Sequence, residues 1–152
     1  MQRPATSLAE EFTALHQLQD LLQEEQKALT EGAVDSLPEL VSSKANIISQ
    51  ITVLADGRHQ ALAAIGMEAS ENGMQSWIEA SGADAEKQQW SELLSLATEV
   101  KELNRLNGIL ISKHAQTNQQ MMSLVGSLVG ANFYGPDGQS SIKASARKFG
   151  AA

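Results

Sequence analysis

Leu8, Leu15, Leu22 and Leu29 recur every seven residues, and Phe12, Leu18 and Leu21 widen that row into a stripe able to face a core. The stripe predicts a helix beginning near Ser7, where Ser7-Leu-Ala-Glu10 fits a capping box, and stopping at Gly32. A second stripe runs Leu37, Leu40, Val41, Ile47, Ile48, Ile51, Leu54, Ala55, Leu62 and Ile65. Spacings of three and four dominate, so it reads as helix despite its β-branched isoleucines. It opens on another capping-box match, Ser36-Leu-Pro-Glu39, with Pro38 tolerated in the first turn, and ends at Gly66. The short connection from Gly32 to Ser36 predicts an antiparallel hairpin.

Glycines at 66, 73 and 82 mark a linker, within which Met74, Trp77 and Ile78 predict one short amphipathic turn lidding a bundle. Asp84 is the expected N-cap of a third, long helix over about residues 85–129. Trp90, Ala97, Asn104, Ile111, Asn118 and Val125 form one seven-residue series, and Leu93, Val100, Asn107, His114, Met121 and Leu128 form its companion. Together they make a coiled-coil-like seam. Asn107-Gly108 is ordinarily a turn signal, but the heptad phase crosses it without a jump, which favours one helix at a local cost of ~1 kcal/mol. Gly126 and Gly130 fit a fraying C-terminal stop. The reading is all-α: a helical hairpin packed on a long C-terminal helix, with a helical domain over residues 1–130 and a mobile basic tail over 131–152.

At 1.5 Å per residue the third helix would span about 65–70 Å, against about 35 Å and 45 Å for the first two. A hairpin of that size leaves part of the third helix uncovered. Its late segment crowds Met121, Met122, Leu124, Val125, Leu128 and Val129 onto most of its circumference. Methionine adapts to varied partner surfaces, and helix-on-helix recognition is the natural use of such a face. Burial in an ordinary core is the alternative.

Composition narrows the class. Of 152 residues, 42% are hydrophobic and 4% aromatic, which suits helices rich in Leu, Ala, Glu and Gln better than a β-sandwich. There is no cysteine, so disulfides, thiolate metal sites and cysteine nucleophiles are excluded. The chain carries −7 overall; Asp137 against Lys143, Arg147 and Lys148 makes residues 131–152 +2, which leaves −9 on the rest. An acidic body argues against nucleic-acid binding, and the basic tail implies a second surface. No apolar leader is expected at the start. The most apolar run, residues 121–133, falls short of the roughly 20 residues of a bilayer span, so a soluble cytoplasmic protein without membrane insertion is expected.

Candidate chemistry is sparse. His16, His59 and His114 fall in no metal-ligand spacing, and neither a Ser/His/Asp set nor a glycine-rich phosphate loop is present. Glu10, Glu11, Glu24 and Glu25 read as solvated helix faces beside the apolar stripe. Asn104, Asn107, His114 and Asn118 fall on seam positions, where polar groups fix register or partner choice. No catalytic residue, metal or cofactor is expected.

The sequence also resembles the FlgN-like family of flagellar export chaperones. Leu15, Leu18, Leu22, Glu25 and Leu29 before Gly32 carry the resemblance, with Lys44, Arg58 and Leu62-x-x-x-Gly66, Trp90, Asn104-Arg-Leu-Asn107-Gly108, and Tyr134-Gly-x-x-Gly138. It implies a non-enzymatic chaperone of the hook-filament junction proteins FlgK and FlgL that binds their C-terminal helical segments. It also implies binding by the late long helix, here Met121, Met122, Leu124, Val125, Leu128 and Val129. Docking on the cytoplasmic domain of the export-gate protein FlhA would use a tail tyrosine, and Tyr134 is the chain's one tyrosine. Asn104, Asn107 and Gly108 match the family motif.

Two other readings stay open. A self-assembling coiled-coil subunit would pair the seam at Asn104 and Ile111 with a second copy, and the sequence leaves monomer and homodimer undecided. A histidine phosphotransfer domain would place a lysine-glycine pair soon after an exposed histidine, whereas His114 is followed by Ala-Gln-Thr-Asn.

Overall fold

A computed structural model describes the backbone of residues 2–133 and the side chains up to Leu124, that of Asn118 excepted. Four α-helices and one 3₁₀ turn follow in order: α1 Leu8–Glu31, the 3₁₀ turn Val34–Ser36, α2 Leu37–Ala64, α3 Glu71–Ser81 and α4 Asp84–Phe133. The all-α reading holds among the described residues. The chain divides into two compact units, residues 1–107 and 108–152, so α4 contributes to both. The tail from Tyr134 onward, Tyr134 included, lies outside the described residues.

In the first unit, two ion pairs fix the hairpin. Glu11 meets Arg58 and Glu25 meets Lys44. Glu25 lies 14 residues after Glu11 and Lys44 lies 14 before Arg58, so α1 and α2 run antiparallel as expected. The first half of α4 runs parallel to α1, because Gln19 bonds to Glu99 and Leu22 to Asn107, advancing together along both helices. One core holds these helices and α3 together. Leu8, Leu15, Leu18 and Leu22 of α1 join Leu62 of α2, Met74, Trp77 and Ile78 of α3, and Trp90, Leu93, Leu96 and Val100 of α4.

Helix ends follow sequence chemistry unevenly. Gly32 ends α1 with φ 73°, in the left-handed region that costs an L-residue a Cβ clash, and its N–H bonds back to the Ala28 carbonyl. Neither expected capping box forms. The Ser7 hydroxyl donates instead to the buried Glu11 carboxylate at 2.8 Å, and the Ser36 hydroxyl to the Ala33 carbonyl. A stronger acceptor, the buried charge, draws Ser7 away from the helix N–H groups. The true side-chain cap is Ser70, which accepts from Gly73 N–H at 3.0 Å and opens α3. The predicted single turn is thus an 11-residue helix with Met74, Trp77 and Ile78 buried. Gly73 is required by close approach, since a Cβ there would collide with the Glu68 carbonyl.

The start of α4 is shifted by one residue from expectation. Ala83 N–H bonds to Glu86 and the Ala83 carbonyl accepts from Lys87 N–H, so Ala83 is the cap and Asp84 the first helical residue. The helix passes through Asn107-Gly108 as predicted. It also continues past Gly126 and Gly130 to Phe133, so those glycines lower helix propensity without stopping it.

Candidate functional site

Three faces merit attention: the polar layers inside the first unit, the groove between α1 and α2, and the late segment of α4.

Glu11 and Glu25, expected on solvated faces, are both buried; Glu10 and Glu24 are exposed. The error was one of period. Glu11, Leu18 and Glu25 form a seven-residue row beside Leu8, Leu15, Leu22 and Leu29, so the two glutamates occupy the seam itself. Burial of a carboxylate demands a partner, and each has one. Glu11 takes Nε and Nη2 of Arg58 at 3.0–3.2 Å and the Ser7 hydroxyl at 2.8 Å. Arg58 Nη2 also donates to Glu71 at 3.0 Å, and the guanidinium lies 4.9 Å from the Trp90 ring centre. Desolvation lowers the Arg58 pKa, but the bonds and charges of Glu11 and Glu71 outweigh it, so the guanidinium stands above its ordinary value. It is a permanent cation. Glu25 takes Lys44 Nζ at 3.2 Å and Asn107 Nδ2 at 3.0 Å. Asn107 Nδ2 also donates to the Leu22 carbonyl at 2.8 Å.

These layers pin register rather than perform chemistry: each acid is paired with a basic side chain, Glu11 with Arg58 and Glu25 with Lys44. Asn107 is therefore a buried structural residue, as its seam position implies. Asn104 is exposed, contrary to its expected place in the seam. The neighbours of α4 change along the unit: Trp90 bonds to Gln75 of α3 and stacks with Arg58 of α2, whereas Asn107 bonds to α1. The buried strip narrows as these neighbours drop away, and Leu103 rather than Asn104 is half-buried. On α2, Val41, Ile48 and Ile65 are exposed, because the inward rows are filled by Lys44, Ile47, Ile51 and Arg58.

The groove between α1 and α2 is lined by Leu21 and Ile47, with Gln17, Asp20, Ser43 and Asn46 around them. Asp20 is its single titratable group, so it holds no acid–base pair. Among the described residues, no cluster of His, Cys, Asp or Glu is arranged for a metal ion, and no helix is long and apolar enough to cross a membrane. His59 bonds to Glu71 at 3.1 Å, and His16 lies 3.6 Å from Asp20.

The late segment of α4 differs in kind. Met121, Met122 and Leu124 are 56%, 59% and 58% exposed, and Ile109 and Ile111 are exposed too, while Leu110 and His114 are half-buried. Five large apolar side chains thus meet solvent over residues 109–124. Isolated apolar exposure is ordinary; here five such side chains fall within one helical segment. Val125, Leu128 and Val129 lie in the same helix, with side chains outside those described. Gly108 is exposed within the helix, with nothing within 4 Å of where a Cβ would stand. Ile109 was absent from the expected set, which was confined to the apolar crowding over residues 121–129.

A family model described as FlgN protein matches residues 1–142. The flagella synthesis protein FlgN of Yersinia enterocolitica is 25% identical over 140 residues, covering 91% of this chain and 89% of the relative. The protein of the same name from the serotype O:8 / biotype 1B strain matches to the same extent. No solved structure matches the chain.

Proposed function

The chain belongs to the FlgN family, and from that premise we propose that it is a flagellar export chaperone. Its clients would be the C-terminal helical segments of hook-filament junction proteins of the FlgK and FlgL type. The observation that carries this reading is the exposure of Met121, Met122 and Leu124 on one helix of a protein whose relatives bear the name flagella synthesis protein. Val125, Leu128 and Val129 extend the proposed client face, and Tyr134 is the proposed contact with the cytoplasmic domain of the gate protein FlhA.

The mechanism is masking. A client helix destined for an assembly is adhesive when free, and covering it with an apolar helix face prevents premature association. Each large side chain buried is worth ~1.5–3 kcal/mol before ordering costs, so six of them gather roughly 9–18 kcal/mol, against about 8 kcal/mol for micromolar binding and about 4 kcal/mol or more of association cost. Release follows from competition at the gate. The role is binding rather than catalysis, in the cytoplasm, and needs no cofactor.

The test is size-exclusion with light scattering of the full chain with a C-terminal helical peptide of a FlgK-type protein. Wild type forms a complex, and Met121→Ser/Leu124→Ser, both exposed, loses it while keeping its helical circular dichroism. No complex at micromolar concentration, with self-association removed by the same substitutions, would replace the chaperone reading with a self-assembling subunit.

A further inference from the structure

The charge of this chain is distributed as sharply as its apolar groups. Residues 1–105 carry 17 acidic and seven basic side chains, whereas residues 106–136 carry one charged side chain, Lys113. The transition falls beside the boundary between the two compact units, at Asn107 and Gly108. Over the described part of the second unit, the exposed polar groups next to Ile109, Ile111, Met121, Met122 and Leu124 are Ser112, Gln116, Thr117, Gln119, Gln120 and Ser123, with Lys113 the one exposed charge among them. An exposed helix in a soluble protein ordinarily sets charges opposite its apolar stripe. This one sets amides and hydroxyls there.

We infer that this segment selects its partner by the absence of charge: it takes an amphipathic helix whose aliphatic stripe is bordered by Gln, Asn, Ser or Thr, and rejects one bordered by Asp, Glu, Lys or Arg. The inference rests on the chaperone reading above and specifies the client chemistry of that same face. An ammonium pressed against residues 109–124 loses water and meets no opposite charge, and a row of carboxylates meets Lys113 alone, so most of that desolvation is uncompensated. An amide both donates and accepts, so Gln116, Gln119 and Gln120 can pair with a second amide row in either orientation. Rejection of charged helices therefore comes from the unpaired charge itself, a repulsive element of specificity. Binding without ion pairs is also insensitive to salt, since screening has nothing to act on.

The experiment uses the full chain and four labelled helical peptides, read by fluorescence anisotropy. One is the C-terminal helical segment of a FlgK-type protein. The other three share one aliphatic stripe and differ in its bordering rows: Gln and Asn, Glu, or Lys. The amide-bordered peptide is expected to bind about tenfold or more tightly than both charged ones, with its Kd changing by less than about twofold between low and high sodium chloride. Gln116→Glu/Gln120→Glu, both exposed positions, is expected to lose the amide-bordered peptide and gain the Lys-bordered one, with a marked salt dependence. Equal binding of all three designed peptides, or tighter binding of a charged one to wild type, overturns the inference. If the FlgK-type peptide binds in that case, the chaperone reading stands without charge selection; if none of the four binds, the chaperone reading falls as well.

Discussion

Glu11 and Arg58 face each other across the hairpin almost fully enclosed, with side chains 5% and 4% exposed and N–H···O contacts of 3.0–3.2 Å. Such a pair stabilises little compared with an apolar replacement of both members, but breaking it strands a buried charge. Arg58→Met leaves the Glu11 carboxylate with the Ser7 hydroxyl alone and is expected to destabilise by about 3–5 kcal/mol. Glu11→Leu/Arg58→Met removes both charges and is expected to recover most of that loss. Urea unfolding followed by circular dichroism measures both, and a single-variant loss under ~1 kcal/mol would mean that water reaches the pair.

Asn107 supplies a second, sharper test of the polar layers. Its Nδ2 donates to two acceptors, the Leu22 carbonyl and Glu25. Asn107→Asp replaces the donor with a carboxylate facing both. Burial and the Glu25 charge would raise the folded-state pKa of the new acid above its unfolded ~3.9. A raised folded pKa makes the variant most nearly wild-type below that unfolded value and progressively less stable as pH rises through the folded one. The variant is therefore expected to show a larger stability deficit at pH 7 than at pH 4, by about 1.4 kcal/mol per unit of pKa shift. Thermal melts of both proteins at the two pH values check it; a deficit independent of pH would sink the argument.

Most of the fold was legible because it rests on local periodicity. The leucine row of α1, the three- and four-residue spacings of α2, and the continuous helix through Asn107-Gly108 each appear in the structure. So does the family resemblance, carried by residues such as Lys44, Arg58 and Asn107. What failed was reading charge as exposure. Glu11 and Glu25 are buried because Arg58 and Lys44, distant in sequence, arrive opposite them, and only tertiary pairing reveals that. Capping failed for a related reason: Ser7 has the right neighbours for a box, but Glu11, one turn on and buried by its pairing with Arg58, takes its hydroxyl. The exposure of Met121, Met122 and Leu124 was legible from helix lengths and apolar crowding, that of Ile109 was not, and the amide and hydroxyl border was present in the sequence but emerges as a pattern only once exposure is known.

Glu86 links the N-terminal segment to α4 in a pH-dependent way. Its carboxylate accepts from Ala83 N–H at 2.9 Å and from Arg3 at 2.8 Å. The Ala83 bond first, then Arg3, outweigh desolvation and hold its pKa below the usual 4.5. A depressed folded pKa contributes stability that is complete above the unfolded value and disappears as pH falls through the folded one. Wild type is therefore expected to lose stability relative to Glu86→Gln as pH drops below 4.5, and to lose nothing extra between pH 6 and 8. Paired urea titrations at pH 3, 5 and 7 decide it; parallel losses in the two proteins would assign acid sensitivity elsewhere.

Gly108 has no steric reason to be glycine. It lies within α4, positive φ among the described glycines is confined to Gly32 and Gly66, and nothing stands within 4 Å of a would-be Cβ. Gly108→Ala is therefore expected to stabilise the helix by about 0.5–1 kcal/mol, whereas Gly32→Ala, forced into φ 73°, is expected to destabilise by about 1–2 kcal/mol. Amide hydrogen exchange over residues 109–124 should slow by about two- to fivefold in Gly108→Ala, the factor that such a free-energy change implies. The functional consequence separates two ways of capturing a client. If the client meets a helix already formed, the stiffer variant binds more tightly, because less ordering entropy is lost on association. If the helix must open at Gly108 to receive the client, the same substitution slows association and weakens binding. The exposed apolar row is already helical without a partner, so tighter binding is the expected result, read as a lower Kd for the FlgK-type peptide. A higher Kd alongside slower exchange would identify Gly108 as a bend that client capture requires.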